Sequence, residues 1–139
     1  MTPPPVDAPA ASVLVVNDDR PSLYLLSRYL KQGGFRVLEA ASGVEALEAA
    51  VRERPDLVVL DVLLPDVSGY EVGRRLRAAP ATAGVGILYV SAHFPIDALR
   101  STGVGGDAYM QQPVDDTELL TTARLVLQTR QTRAFASAS

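Results

Sequence analysis

Three runs of this chain, SVLVV (Ser12–Val16), LVVL (Leu57–Leu60) and GILYVS (Gly86–Ser91), are apolar almost throughout, and helical patterns separate them. A strand with one wet face alternates apolar and polar residues, whereas a strand covered on both faces reads as an unbroken apolar run. Such strands need a sheet lying between helices, and the chain supplies helices in alternation. RPSLYLLSRYLKQGG carries Leu23, Leu26 and Leu30 at helical spacing and stops at the pair Gly33–Gly34. SGVEALEAAVRERP opens with a capping box, Ser42 to Glu45, carries Val44, Leu47 and Val51, and ends before Pro55. SGYEVGRRLRAAP repeats the box with Ser68 and Glu71 and sets Val72, Leu76 and Ala79 on one face, with Arg74, Arg75 and Arg77 read as a solvated one. DDTELLTTARLVLQTR puts Leu120, Ala123 and Leu127 on one stripe. FRVLEA alternates as an edge strand does, and DAYMQQP is a short strand closed by proline. Strand-then-helix units with right-handed crossovers predict a doubly wound α/β fold, a five-stranded parallel sheet with helices on both faces.

Within LVVLDVLLPDVSG (Leu57–Gly69), Asp61 stands alone among apolar neighbours on both sides. An isolated buried carboxylate is costly unless a charge, a metal or hydrogen bonds hold it. Ligands of doubly wound sheets bind beyond the carboxyl ends of the strands. The polar residues at those ends are Asn17, Asp18 and Asp19, then Asp61, Ser91 and Gln112. Asp18 and Asp61 repel each other unless a cation lies between them. Few oxygen ligands with room for water suit Mg2+ better than zinc. The Ser91 hydroxyl and the Gln112 amide can hydrogen-bond a phosphoryl group. Together these residues make an aspartyl-phosphate site. The structural alternative is that Asp18 and Asp19 cap the first helix and Asp61 caps a turn.

Composition narrows the classes. Across 139 residues, 21% are charged and the net charge is −3, with no basic stripe, which argues against nucleic acid as a partner. There is no cysteine, hence no disulfide or thiolate metal site, and no apolar run approaches the roughly 20 residues that span a bilayer. The expected setting is cytoplasmic, with no membrane partner. MTPPPVDAPAA lacks the charged and apolar regions of a signal peptide and reads as a disordered leader, residues 1–11. The folded domain is expected at 12–131, and 132–139 as a flexible tail or the start of a linker.

The pieces VLVVNDD, GFRVLEAASGVEAL, PDLVVLDVLLPDVSGYEV, LYVSA and GGDAYMQQPVDDTELL carry a resemblance. The chain resembles a response-regulator receiver domain of two-component signalling, from about Ser12 to about Arg130. The resemblance implies a flavodoxin-like sheet of order 2-1-3-4-5 and Asp61 as acceptor of phosphate from a histidine kinase or phosphotransfer protein. It implies Mg2+ held by Asp18, Asp61 and the backbone carbonyl of Leu63. It makes Ser91 the switch hydroxyl, Tyr109 the aromatic that reports the state, and Gln112–Pro113 a cis bond. It also implies a downstream target protein and a homodimer through the face formed by the fourth helix, the fifth strand and the last helix.

Three departures from the family stand out. Asn17 replaces an acidic residue that orients the metal's water, and Gln112 replaces the lysine that contacts phosphoryl oxygens. The two changes compensate in charge: three carboxylates and a lysine give −2, as do two carboxylates alone. A neutral amide holds a phosphoryl group less strongly than an ammonium, so the coupling of phosphate to conformation is affected more than the chemistry. Third, HFPIDALRSTGVGGDAY predicts only a short helix, about Pro95 to Ser101, before a glycine-rich loop. The competing readings are a degenerate receiver that never carries phosphate, a receiver cut from the front of a sensor kinase, and an aspartyl-phosphate phosphatase. The last lacks its general acid, because Leu63 stands two residues after Asp61.

Overall fold

The computed structural model describes residues 10–92 and 106–138, with side chains through 130; the helix expected at Pro95–Ser101 lies outside them. The elements are β1 (Ser12–Val16), α1 (Arg20–Gln32), β2 (Arg36–Ala40), α2 (Gly43–Glu53), β3 (Leu57–Leu60), α3 (Gly69–Ala78), β4 (Gly86–Ser91), β5 (Ala108–Gln111) and α4 (Asp116–Ala138). All strand pairs are parallel and the sheet order is β2-β1-β3-β4-β5.

The apolar runs become the three central strands, and their alternate residues feed two cores. Leu14, Val16, Val58, Leu60, Ile87 and Tyr89 face α2 and α3, where Ala46, Ala50, Val72 and Leu76 meet them. Val13, Val15, Leu57, Val59, Leu88 and Val90 face α1 and α4, where Leu26, Leu30, Leu119, Ala123 and Val126 meet them. Each fully buried aliphatic side chain contributes about 1.5–3 kcal/mol. Among the described residues no helix is long and apolar enough to cross a membrane.

The helix starts follow the sequence. Ser42 and Ser68 accept from the N–H groups of Glu45 and Glu71, each at 3.2 Å. Helix α1 ends at Gly33, and Gly34 adopts φ +93.

The buried faces depart from expectation in two helices. In α2 the core residues are Gly43, Ala46, Ala49 and Ala50, while Val44 and Val51 are exposed. The helix lies too close to its neighbours for larger residues: a Cβ on Gly43 would stand 3.0 Å from Val67 and 3.1 Å from Val72. In α4 the buried residues are Leu119, Ala123 and Val126: Ala123 lies on the predicted stripe, while Leu119 and Val126 each stand one position before its Leu120 and Leu127. Leu120 and Leu127 stay partly buried beside them, Leu120 over the α1 C-cap at Gly33. Helix α4 also runs through 132–138, expected above as a flexible tail or the start of a linker; that stretch contains no glycine or proline to stop it. Arg77 is not solvated: it pairs with Asp107 at 2.7 Å and donates to the carbonyls of Ala83 and Val85.

Candidate functional site

The register of the central strands builds the site. Val16 pairs with Leu60, so the residues that follow, Asn17 and Asp18 from β1 and Asp61 from β3, emerge side by side. The Asp61 N–H donates to the Val16 carbonyl at 3.0 Å, and the Asn17 N–H to that of Ala40 at 3.1 Å. A cleft of about 300 Å3 opens there, lined by Asn17, Asp18, Asp19, Asp61, Leu63 and Gln112 among others. Asp61 is 7% exposed and Asn17 2%, whereas Asp18 is exposed. One carboxylate is thus buried at the cleft floor and a second stands at its wet rim.

The two neighbouring aspartates have separate roles. Asp19 is the N-cap of α1: its Oδ2 accepts from the Ser22 N–H at 3.1 Å and the Ser22 hydroxyl at 2.6 Å. The capping alternative therefore holds for Asp19. It does not hold for Asp18, whose carboxylate caps nothing and lines the cleft. Asn17 Oδ1 accepts from the Asp19 N–H at 2.9 Å, which leaves its amide NH2 as the group available to the cleft.

Gln112 reaches the cleft from β5. Its N–H donates to the Ser91 carbonyl at 2.8 Å, and the Gln112–Pro113 bond is cis. Ser91 itself is fully buried at the end of β4, and the adjacent Ala92 lines the cleft instead.

Comparison with known proteins decides the family. The model of the response regulator receiver domain matches residues 13–124.

The chain belongs to that family. It is a receiver domain of two-component signalling, a signalling domain. It is 34% identical over 116 residues to the DNA-binding dual master transcriptional regulator RpaA of Synechocystis sp., covering 83% of this chain and 48% of RpaA. The receiver spans about half the length of the first curated relatives it matches. A CheY-like receiver from Methanospirillum hungatei superposes with a TM-score of 0.81 at 25% identity, covering 90% of this chain and 99% of that one. The receiver of the Pseudomonas aeruginosa sensor histidine kinase PA1611, described with a magnesium ion coordinated in its active-site cleft, gives 0.79 at 26% identity, covering 86% and 99%.

The donor set of this receiver fits the same ion. Asp18, Asp61 and Leu63 line one cleft and offer hard oxygens. Among the described residues no three acidic, imidazole or thiol side chains converge as an all-protein cage would. Mg2+ prefers such incomplete sites, because it keeps several waters.

Two features of the receiver escaped the sequence. Asp66 ties the loop after β3 to the start of α2, accepting from the Gly43 N–H at 2.8 Å and the Val44 N–H at 2.9 Å. The Val44 and Gly43 amides hold its carboxyl below the usual value of 3.8. The second is an aromatic row. Tyr109 stacks on Tyr89 with centroids 5.7 Å apart and planes 12° apart, and Tyr89 tilts against Tyr70 of α3 at 6.0 Å. Burial raises the Tyr89 and Tyr70 phenols above their ordinary range. Tyr109 thus joins the site through β4 packing and not as a cleft residue.

Proposed function

We propose that Asp61 accepts a phosphoryl group from a phosphohistidine of a histidine kinase or phosphotransfer protein, with Mg2+ held by Asp18, Asp61 and the Leu63 carbonyl. The observation that carries this reading is the shared cleft: a nearly buried carboxylate beside an exposed one, with an amide donor opposite.

An Asp61 oxygen attacks phosphorus as the anion, so no base is needed. The new P–O bond forms as the P–N bond breaks, and the imidazole leaves with that electron pair. The product is an acyl phosphate on Asp61. Bound Mg2+ supplies the positive charge that offsets repulsion between carboxylate and phosphoryl group. Gln112 donates an amide N–H to a phosphoryl oxygen, a weaker contact than a charged donor makes. Water admitted to the same cleft hydrolyses the acyl phosphate and returns the domain to its free form. Ser91 and Tyr109 carry the change of state towards β5 and α4, the face offered to a downstream protein or a second copy.

The test is intact-mass analysis after incubation with acetyl phosphate and Mg2+. A single phosphoryl adduct that is absent in Asp61→Asn and blocked by chelator supports the proposal. No adduct in the parent, or one that survives in Asp61→Asn, sinks it in favour of a phosphate-free interaction module.

A further inference from the structure

The opposite end of the sheet carries the contrary charge. Arg36 opens β2, Arg54 closes α2, and α4 crosses this end with Arg124 and Arg130. These four, with Asp56 and Leu127 among others, line a cleft of about 550 Å3. Four arginines and one aspartate line it, in a chain whose net charge is −3.

Asp56 does not balance the group. Its Oδ2 accepts from the Ser12 N–H at 2.8 Å and from the Ser12 hydroxyl at 3.4 Å, and its Oδ1 accepts from Arg130 at 3.3 Å. Arg130 also donates to the Gly84 carbonyl at 2.8 Å, and Arg124 to that of Gly33 at 3.4 Å. Arg36 and Arg54 have no side-chain hydrogen bond or ion pair among the described residues.

The backbone at Arg54 adds a separate observation. It is the non-glycine residue of positive φ among the described residues, at φ 47 and ψ 63, and it directly precedes Pro55. Glycine is the usual occupant of a left-handed helix C-cap, because a Cβ there crowds the following carbonyl oxygen. Strain retained at such a position points to the side chain it keeps.

We propose that this basic cleft binds a polyphosphate anion, of the class of inorganic pyrophosphate or a nucleoside diphosphate. Guanidinium forks pair with phosphate oxygens two at a time; the uncommitted forks of Arg36 and Arg54, with the N–H donors that Arg124 and Arg130 keep beyond their bonds to Gly33, Gly84 and Asp56, exceed what one phosphate group can occupy. The volume lies within the roughly 300–1,000 Å3 of small-molecule sites, and Leu127 offers an apolar wall to the rest of a ligand. Excess positive charge held together without an anion repels itself, and a polyanion relieves that repulsion.

The experiment is a pyrophosphate titration in metal-free buffer at about 0.1 M salt, where unscreened long-range attraction is suppressed. Amide signals of Ala11, Arg36 and Arg54 should shift saturably while those of Asp18 and Asp61 stay still. Arg54→Gly removes the guanidinium and the backbone strain together, so the melting temperature should hold or rise while affinity falls at least tenfold. Arg36→Ala should weaken binding without changing the melting temperature. Absence of saturable shifts, equal affinity in Arg54→Gly, or tighter binding of a duplex oligonucleotide at the same residues would overturn the proposal.

Discussion

Gly69, the first residue of α3, lies directly against the carbonyl of Asp61: a Cβ on it would stand 2.0 Å from that oxygen. Its N–H donates to the Val62 carbonyl at 2.8 Å, which pins the loop after β3 beneath the helix. The backbone of the proposed phosphate acceptor is thus positioned by a missing side chain.

Gly69→Ala should therefore cost about 2 kcal/mol or more, near the upper range for overpacking, because both clashing partners are backbone. Gly84 supplies the control, since a Cβ there meets nothing within 4 Å. Gly84→Ala should be neutral or slightly stabilising through the unfolded state. Urea midpoints measure both, and equal midpoints would remove the close-packing argument.

Asp18 and Asp19 should separate cleanly. Asp19→Ala removes the α1 cap and should cost about 1 kcal/mol of stability, while leaving the response to Mg2+ intact. Asp18→Ala removes a cleft carboxylate that caps nothing, so stability should stay within about 0.5 kcal/mol. Its Mg2+ affinity should fall at least tenfold, read from the amide signals of Asp61 and Leu63. The reverse pattern would assign the metal to the wrong aspartate.

Acid should loosen the Asp66 tie. Its folded pKa lies below the unfolded value, so its contribution is complete above the unfolded pKa of about 3.8 and is lost as pH falls through the folded one. Asp66→Asn carries no charge and keeps one acceptor oxygen, where the carboxylate offers Oδ1 to the Gly43 amide and Oδ2 to that of Val44. The parent should lose stability more steeply than the variant as pH falls through and below about 3.8. Parallel curves from denaturant titrations across that range would show that the charge contributes nothing.

Which parts of this were legible in the sequence follows from what each depends on. Doubly covered strands reveal themselves as apolar runs, and strand ends in a parallel sheet share an edge, so Asn17, Asp18, Asp61 and Gln112 could be grouped from order alone. The buried face of α2 could not, because the distance between layers selects Ala46 and Ala50 over Val44 and Val51. Tyr89 hid inside an apolar run, and only its register with Tyr109 makes the stack. The arginines at 36, 54, 124 and 130 form no basic stripe in sequence. They meet because the starts of the strands lie together and α4 returns across them.

Asn17 and Gln112 provide the last prediction, through charge. Counting Asp18, Asp61 and positions 17 and 112, and leaving out Asp19 held at the α1 cap, Gln112→Lys alone takes the charge from −2 to −1 before metal, so Mg2+ affinity should fall. Asn17→Asp alone takes it to −3, and the new carboxylate can keep the bond that Oδ1 now accepts from the Asp19 N–H at 2.9 Å. Affinity should then rise, and the double variant should return close to the parent. Switching should respond differently. An ammonium at 112 makes a charge-assisted contact roughly twice as strong as the amide's. A beryllofluoride-type phosphoryl mimic should therefore move the signals of Ser91 and Tyr109 further in Gln112→Lys than in the parent. The Tyr89–Tyr109 stack gives a local reporter, since any rotation of Tyr109 breaks a 12° alignment. A double-mutant cycle on Mg2+ affinity measures the coupling between the two positions. A double variant that kept the low Mg2+ affinity of Gln112→Lys would mean that the charge at position 17 does not offset the one at 112, and charge compensation would no longer explain the pair.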